Sequence, residues 1–489
     1  MTEAGPGRRF TLDVGWVLLS SVAALLAGFL VRPLLARWLG ADGLGLYSLA
    51  ITILSMGLLL GNFGLSQSIL KYVAEDRDNR DKAARIVLSG FSVSIVLGAA
   101  CGVLVYVFRG PIADFFDMPE VADFLPILAL AFPFYSLFTS TTGLFNGLRQ
   151  MRTYAFLVMG QSVLRTVVVL VLAGIGAGVK GAVGGVVVSA AAISLLGLFA
   201  SRHLIRTSLE GWAQNARRLL SFGGRMFAAD ATNVIANRID VVVIGYYMAA
   251  DDIGYYSAAA LVATFFPLLP GAIQRITFPA ASQLWAQKDY QTLARMIDKS
   301  MKYSTCVIAP LGLVVGFFAK DILTTVFGAG FDVAAAPLCV LLIARVLRGG
   351  TAVPIGNVIP AIGRPDLNFK IELIGAGLNV GLNILLIPRY GILGAAIATT
   401  ISLVAGAAIF LIFVLKLLPV RIDIKWYVSA FGTALIAVLA YWGISALVNH
   451  YVVGAVIALL YIALVVGHFL TKEDRHMFTS LAYSLIRRG

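Results

Sequence analysis

A chain of 489 residues that is 59% hydrophobic and only 13% charged cannot cover itself with enough polar surface to stand in water as a folded body of that size. With a mean hydropathy of +0.89, it reads as a polytopic membrane protein. The net charge of +13 gives no independent reason to expect nucleic acid as a partner, because basic residues collect in the loops on one face of such proteins.

Met1 to Asp13 is polar, and the first apolar run starts at Val14 with no small-residue cleavage site behind a short core, so it is expected to be retained as a span. Runs that can cross roughly 30 Å of hydrocarbon need about 20 residues each. In the first half they fall near 14–36, 44–66, 86–108, 124–146, 154–176 and 180–201. The second half adds 219–246, 253–277, 303–320, 335–359, 367–388 and 391–415, and the tail adds 426–447 and 451–470. The expected fold class is therefore all-α, with about fourteen transmembrane helices.

The halves resemble each other. Ala41-Asp42-Gly43-Leu44-Gly45-Leu46-Tyr47-Ser48-Leu49-Ala50 recurs as Ala250-Asp251-Asp252-Ile253-Gly254-Tyr255-Tyr256-Ser257-Ala258-Ala259, 209 positions later. Gly181-Ala182-Val183-Gly184 echoes Gly391-Ile392-Leu393-Gly394 at an offset of 210. Two copies of one six-helix unit are expected, 1–210 and 211–420, followed by 421–489 with two extra helices and a cytoplasmic tail. Six spans is an even number, so both copies enter from the same side and the repeat is parallel. A cleft between two such bundles, opened to each side in turn, would serve transport.

Lys and Arg are retained on the cytoplasmic side. With a cytoplasmic N-terminus, 25 of the 38 basic residues fall in inner segments and five, Arg37, Arg109, Lys180, Lys320 and Arg389, in outer loops. Both termini are then cytoplasmic. The remaining eight, Arg32, Arg165, Arg225, Arg238, Arg275, Arg345, Arg348 and Lys370, lie inside or at the edge of spans, against three acids, Asp230, Asp240 and Glu372.

A charge near the bilayer centre costs about 2.5 to 3.5 kcal/mol on insertion scales, so such residues face a bundle interior or a watery cavity, and a cationic surplus there attracts anions. Arg225, Arg275 and Lys370 are near enough to the inner ends to snorkel. Arg32, just before Pro33 and close to the outer end, fits either reading. Arg165, Arg238, Arg345 and Arg348 are deep, and for them a structural ion pair competes with a ligand site. Arg345 and Arg348 sit three apart on one face, followed by Gly349-Gly350, Pro354 and Pro360, the pattern of a broken helix beside a transport site. They are the first choice for the substrate.

In the seventh span, Asp230, Asn233, Asn237 and Asp240 fall within about 80 degrees of one another, with Arg238 at the margin. That stripe cannot face lipid. Its carboxylates, Asp230 and Asp240, are the candidates for ion coupling.

Catalytic signals are weak. Asp76-Arg77-Asp78 spells the DxD of metal-dependent glycosyltransferases, but it sits in a mixed-charge loop without a nucleotide-binding fold, where a solvated loop is the better reading. Four scattered histidines and no phosphate-cradling loop leave no metal site, cofactor or ATP motor to assign. Cys101, Cys306 and Cys339 lie in apolar stretches and are expected as free thiols.

Twelve spans in two copies plus two, Trp38-Leu39-Gly40 followed by Gly45-Leu46-Tyr47-Ser48, and Asn62-Phe63-Gly64-Leu65 together resemble the polysaccharide transporter family. These are lipid-linked oligosaccharide flippases of the multidrug/oligosaccharidyl-lipid/polysaccharide exporter superfamily. The resemblance implies a monomer that binds a sugar chain on a polyprenyl pyrophosphate at the cytoplasmic leaflet and releases it outside by alternating access. It also implies membrane lipids, and glycosyltransferases or a polymerase of the same pathway, as partners. Arginines and polar groups on the cavity fit that likeness, and no motif assigns them one by one.

Three alternatives stay open. A peptidoglycan-precursor flippase needs the same cationic cavity. A drug or metabolite antiporter of this fold would call for acidic cavity residues where arginines dominate. A polytopic sugar polymerase or ligase usually carries a large outer loop, and none here exceeds about 16 residues.

Overall fold

Residues at positive φ mark where this chain turns, mostly glycines but also Phe63, Asp117, Arg149 and Lys288, as the computed structural model shows over residues 6–76, 79–204, 210–418, 422–471 and 474. Arg77 and Asp78 of the DxD triplet and the tail beyond 474 lie outside these described residues. All regular structure among them is helical.

The first two spans both lie in α1 (Pro6–Asn62), α2 (Leu65–Glu75) follows them, the third is α3 (Arg80–Val107), and a short α4 (Arg109–Phe116) comes next. The fourth is α5 (Pro119–Ala129) with α6 (Ala131–Gly147), bent by 48°. The fifth and sixth are α7 (Met151–Leu172) and α8 (Gly178–Ser201), joined by a π-helical turn. The seventh is α9 (Trp212–Tyr247), and the eighth pairs α10 (Ala250–Ala263) with α11 (Leu268–Ala286), again bent by 48°. Next come α12 (Tyr290–Phe317), α13 (Ala319–Phe327) and α14 (Ala335–Gly350), the last continuing brokenly into α15 (Val358–Ala361). The eleventh and twelfth spans share α16 (Pro365–Leu417), and α17 (Ile424–Ile444) and α18 (His450–Leu464) complete the set.

Eight of these stretches are long and apolar enough to cross a membrane alone, and two bent pairs do so jointly. Three of the eight fold into two legs at a glycine whose backbone leaves the helix: Gly40 (φ 72°), Gly176 (φ 93°) and Gly391 (φ 59°). Counting those legs, and the polar 36-residue α9, is consistent with fourteen crossings.

The duplication is visible in backbone detail. α3 and α12 are each 28 residues long and start 210 positions apart, Arg80 against Tyr290. Both begin with the same cap: the side chain of Asn79 accepts from Lys82 N, and that of Asp289 from Thr292 N. In the later landmark, Gly178 (φ 57°, ψ −143°) matches Gly391 (φ 59°, ψ −141°). The backbone register is thus 213 and not 210, because the position that needs positive φ fixes which glycines correspond.

The chain forms two compact units, Met1–Ala258 with Asn383–Ile392, and Ala259–Leu382 with Leu393–Gly489. In the first, Leu65, Ile69, Val73, Ile86, Leu144 and Leu219 form a core joining α2, α3, α6 and α9. The two repeated stretches also meet here. A Cβ on Gly45 would fall on the carbonyl oxygen of Ala250, and one on Gly254 on that of Ala41. Ala41 corresponds to Ala250 and Gly45 to Gly254, so the contact is reciprocal, as an axis of two-fold pseudo-symmetry between the copies requires.

In the second unit the tenth span breaks after Gly349-Gly350 as expected. The carbonyls released there are satisfied by α12, whose Ser304 and Thr305 hydroxyls donate to Gly349 O (2.7 Å) and Gly350 O (3.0 Å). Helices α17 and α18 pack on α12 through Phe317, Tyr441 and Tyr461, and Tyr441 Oη donates to Phe317 O at 2.9 Å.

Candidate anion-binding site

Three arginines from helices far apart in sequence come together in the first unit. Arg32 of α1 lies in the electrostatic field of Arg238 of α9 and Arg165 of α7, and Arg238 in that of Arg165. All three are half-buried. Tyr47, past the Gly40 kink, feels all three. Tyr135 of α6 is hydrogen-bonded with Arg165, and its hydroxyl is engaged by Gln161 Nε2 at 3.1 Å. Gln161 is buried one turn before Arg165, and its Oε1 has no hydrogen-bond partner among the described residues.

The carboxylate whose charge reaches Arg238 is Asp240. It is buried, and its oxygens are already engaged: Tyr256 Oη donates to Oδ2, and Asn383 Nδ2 to Oδ1 at 3.5 Å. Asp240 thus acts on Arg238 with oxygens that are already largely occupied. Fixed cations with planar donor forks, flanked by phenols and an amide, are suited to an anion with several oxygens, such as a pyrophosphate.

The rest of the polar stripe on α9 behaves differently. Asp230, Asn233 and Asn237 are exposed, and Asn237 Nδ2 bonds Asn233 O (2.8 Å) and Oδ1 (3.1 Å). Within one stripe, therefore, Asp240 is committed to the interior and Asp230 is open.

Arg345 and Arg348 lie in the second unit, on α14. Arg348 interacts electrostatically with its neighbour Arg345 and with Glu372 of α16, one of the three acids counted within the spans. Arg225 and Arg275, expected to snorkel, are exposed, as is Lys370. Cys101 is buried and Cys306 and Cys339 half-buried, all as free thiols.

Sequence reasoning had not singled out Tyr47, Tyr135, Gln161, Tyr256 or Asn383. For two of these the signal existed: Tyr47 and Tyr256 occupy the same position in the repeated stretch, and one stands beside the arginines while the other holds Asp240.

With this geometry in hand, comparison with known proteins adds the following. A family model described as polysaccharide biosynthesis protein matches residues 34–336. The succinoglycan biosynthesis transport protein ExoT of Rhizobium meliloti is 26% identical over 386 residues, covering 78% of this chain and 75% of its own. The protein of Haloferax volcanii named "Probable low-salt glycan biosynthesis flippase Agl15" is 25% identical over 423 residues, covering 85% of each chain. Among solved structures, the lipid II flippase MurJ in an inward closed conformation superposes with a TM-score of 0.72 at 16% identity, over 93% of this chain and 98% of its own. That likeness shows a shared fold.

Proposed function

Because the chain belongs to the polysaccharide biosynthesis protein family, we propose that it is a flippase. In this reading it carries polyprenyl-pyrophosphate-linked oligosaccharide across the cytoplasmic membrane by alternating access, for assembly of a surface polysaccharide or glycan. The observation that carries the reading is the meeting of Arg32, Arg165 and Arg238. A pyrophosphate brings several negative oxygens into a place of low dielectric, where preorganised guanidinium groups compensate the loss of its hydration. The sugars contact polar and aromatic side chains, and the polyprenyl tail stays in the bilayer.

Roles follow from position. The three arginines hold the diphosphate, with Tyr47, Tyr135 and Gln161 orienting them. Arg345 and Arg348, with Glu372 nearby, form a secondary cationic patch. Asp240 beside Arg238 is the site of ion coupling, since a cation or proton there changes the charge that the arginines feel. Asp230, Asn233 and Asn237 offer polar contacts on the exposed stripe. The protein works as a monomer, supplied by glycosyltransferases and drained by a polymerase or ligase, in the two halves 1–210 and 211–420 plus the tail 421–489. Both termini are cytoplasmic: a reporter fused after Asp252 should be extracytoplasmic and one after Gln287 cytoplasmic, because the first loop has no Lys or Arg.

The deciding experiment is headgroup translocation in proteoliposomes, with lipid-linked oligosaccharide and lipid-linked peptidoglycan precursor offered in parallel under sodium and proton gradients. Transport of the oligosaccharide that Arg165→Gln or Arg238→Gln removes, in well-folded protein, supports the reading. Wild-type protein that moves no lipid-linked glycan under any gradient defeats it, and exclusive transport of the precursor replaces it with that substrate.

A further inference from the structure

We propose that the groove between the beginnings of α1 and α7 binds an anionic phospholipid of the cytoplasmic leaflet, with its phosphate on Arg152 and an acyl chain along the apolar wall. The groove encloses about 450 Å³, and it belongs to the first unit. Trp16 and Leu19 of α1 form one wall, and Phe156 and Met159 of α7 the other. Ser20 also lines it, but its hydroxyl already donates to Val17 O at 2.9 Å.

Arg152 is the one charged lining residue among the described residues. It is exposed, and its guanidinium stands 5.9 Å from the Trp16 ring. No carboxylate among the described residues is paired with it. Leu19 is 52% and Phe156 56% exposed, so the apolar wall opens outward and is not sealed by protein. An unpaired cation at the head of an open apolar groove, beside a tryptophan, matches a phospholipid part by part: phosphate, interfacial glycerol, hydrocarbon. Tryptophan concentrates at the headgroup level, and basic pockets between transmembrane helices on the cytoplasmic side take anionic headgroups. A zwitterionic lipid would fill the same space without the net charge that Arg152 recognises. The leaflet assignment rests on the orientation proposed above. The groove is distinct from the arginine trio, though Arg32 rides on the same α1, so a lipid here contacts a helix that also carries a substrate-site residue.

The test uses nanodiscs and no transport, so its failure is separable from failure of the flippase reading. Tryptophan emission is measured with brominated-chain phosphatidylglycerol and, separately, brominated-chain phosphatidylcholine at equal mole fraction. Trp16→Phe isolates the Trp16 contribution from that of the other five tryptophans. The expected result is that half-maximal quenching of Trp16 needs about fivefold less phosphatidylglycerol than phosphatidylcholine, the preference that one basic residue near the surface gives. Arg152→Gln should abolish the preference and Arg152→Lys should keep it. Equal quenching by the two lipids, or a preference that survives Arg152→Gln, overturns the proposal.

Discussion

The two copies of the repeated stretch share their packing and differ in their charge environment. Gly45 and Gly254 do the same thing, each admitting a carbonyl of the other copy where a side chain would block it. Tyr47 and Tyr256, two residues further along in each copy, do different things: one lies among arginines, the other binds a carboxylate. Duplication supplies a symmetric frame, and the charges placed on it break the symmetry. In the proposed reading that asymmetry serves transport, because it sets the cations and the acid that would modulate them side by side.

The largest effect tests the shared part. Gly45→Leu and Gly254→Leu both drive carbon into a backbone carbonyl that cannot step aside as a side chain could, and each should cost about 3 kcal/mol or more. Thermal unfolding of detergent-solubilised protein should show the two variants equally lowered. Unequal losses would break the two-fold account of the contact.

The next effect tests the charge asymmetry. Arg165→Gln or Arg238→Gln removes a charged donor worth about 1.5 to 3 kcal/mol, so translocation should fall roughly 10- to 100-fold with little change in unfolding temperature. Arg348→Gln should fall less, because Glu372 already engages part of that charge in the second unit. If Arg348→Gln costs more transport than both trio variants, the substrate site lies on α14 instead.

A smaller effect separates the two tyrosines. Tyr256→Phe strips a hydrogen bond from a buried carboxylate and should cost about 1 to 3 kcal/mol of stability. Tyr47→Phe should change stability by under about 1 kcal/mol while weakening translocation. The check is unfolding and transport measured on the same preparations, and reversal of the two patterns would exchange the roles of the tyrosines.

Much of the fold was legible because membrane spans announce themselves by length and hydropathy, and the stretch repeated around Tyr47 and Tyr256, 209 positions apart, has a near match in α3 and α12, equally long and starting 210 positions apart. The break after Gly349-Gly350 was legible for a local reason, two glycines and two prolines in one apolar run. The pair Arg345 and Arg348 was legible too, since helical spacing alone brings them together. The trio was not. Arg32 and Arg238 are brought together by how α1 packs with α9, and helical periodicity says nothing about which helices will be neighbours. The position of α9 has the same origin. The proposed halves start a new copy there, while contacts such as Gly223 against Phe63 O and Ser68 Oγ on Leu219 O group that helix with the first unit. A repeat is visible in the sequence, whereas packing boundaries are decided in three dimensions.

The smallest expected effect concerns the acids that accompany the glycine contact. Asp42 holds its proton above the ordinary carboxylate range, first because burial penalises its charge and then because Glu120 and Asp251 are close. Asp251 is its counterpart in the other copy. A carboxyl whose folded pKa is raised favours the folded contact most when protonated: that stability is fully present below the unfolded pKa and is lost as pH rises through the folded one. The end of the first unit where Ala41 meets Gly254 should therefore loosen slightly between the ordinary carboxylate range and neutrality. Hydrogen exchange of the amides at 41–46 and 250–255, followed across that range, should show protection declining as pH rises, after correction for intrinsic exchange. Asp42→Asn should flatten the decline, because the neutral amide feels neither the burial penalty on charge nor repulsion from Glu120 and Asp251. Protection that rises with pH in the native protein, or the same slope in Asp42→Asn, would remove the carboxyl cluster from any part in how firmly the two copies are joined.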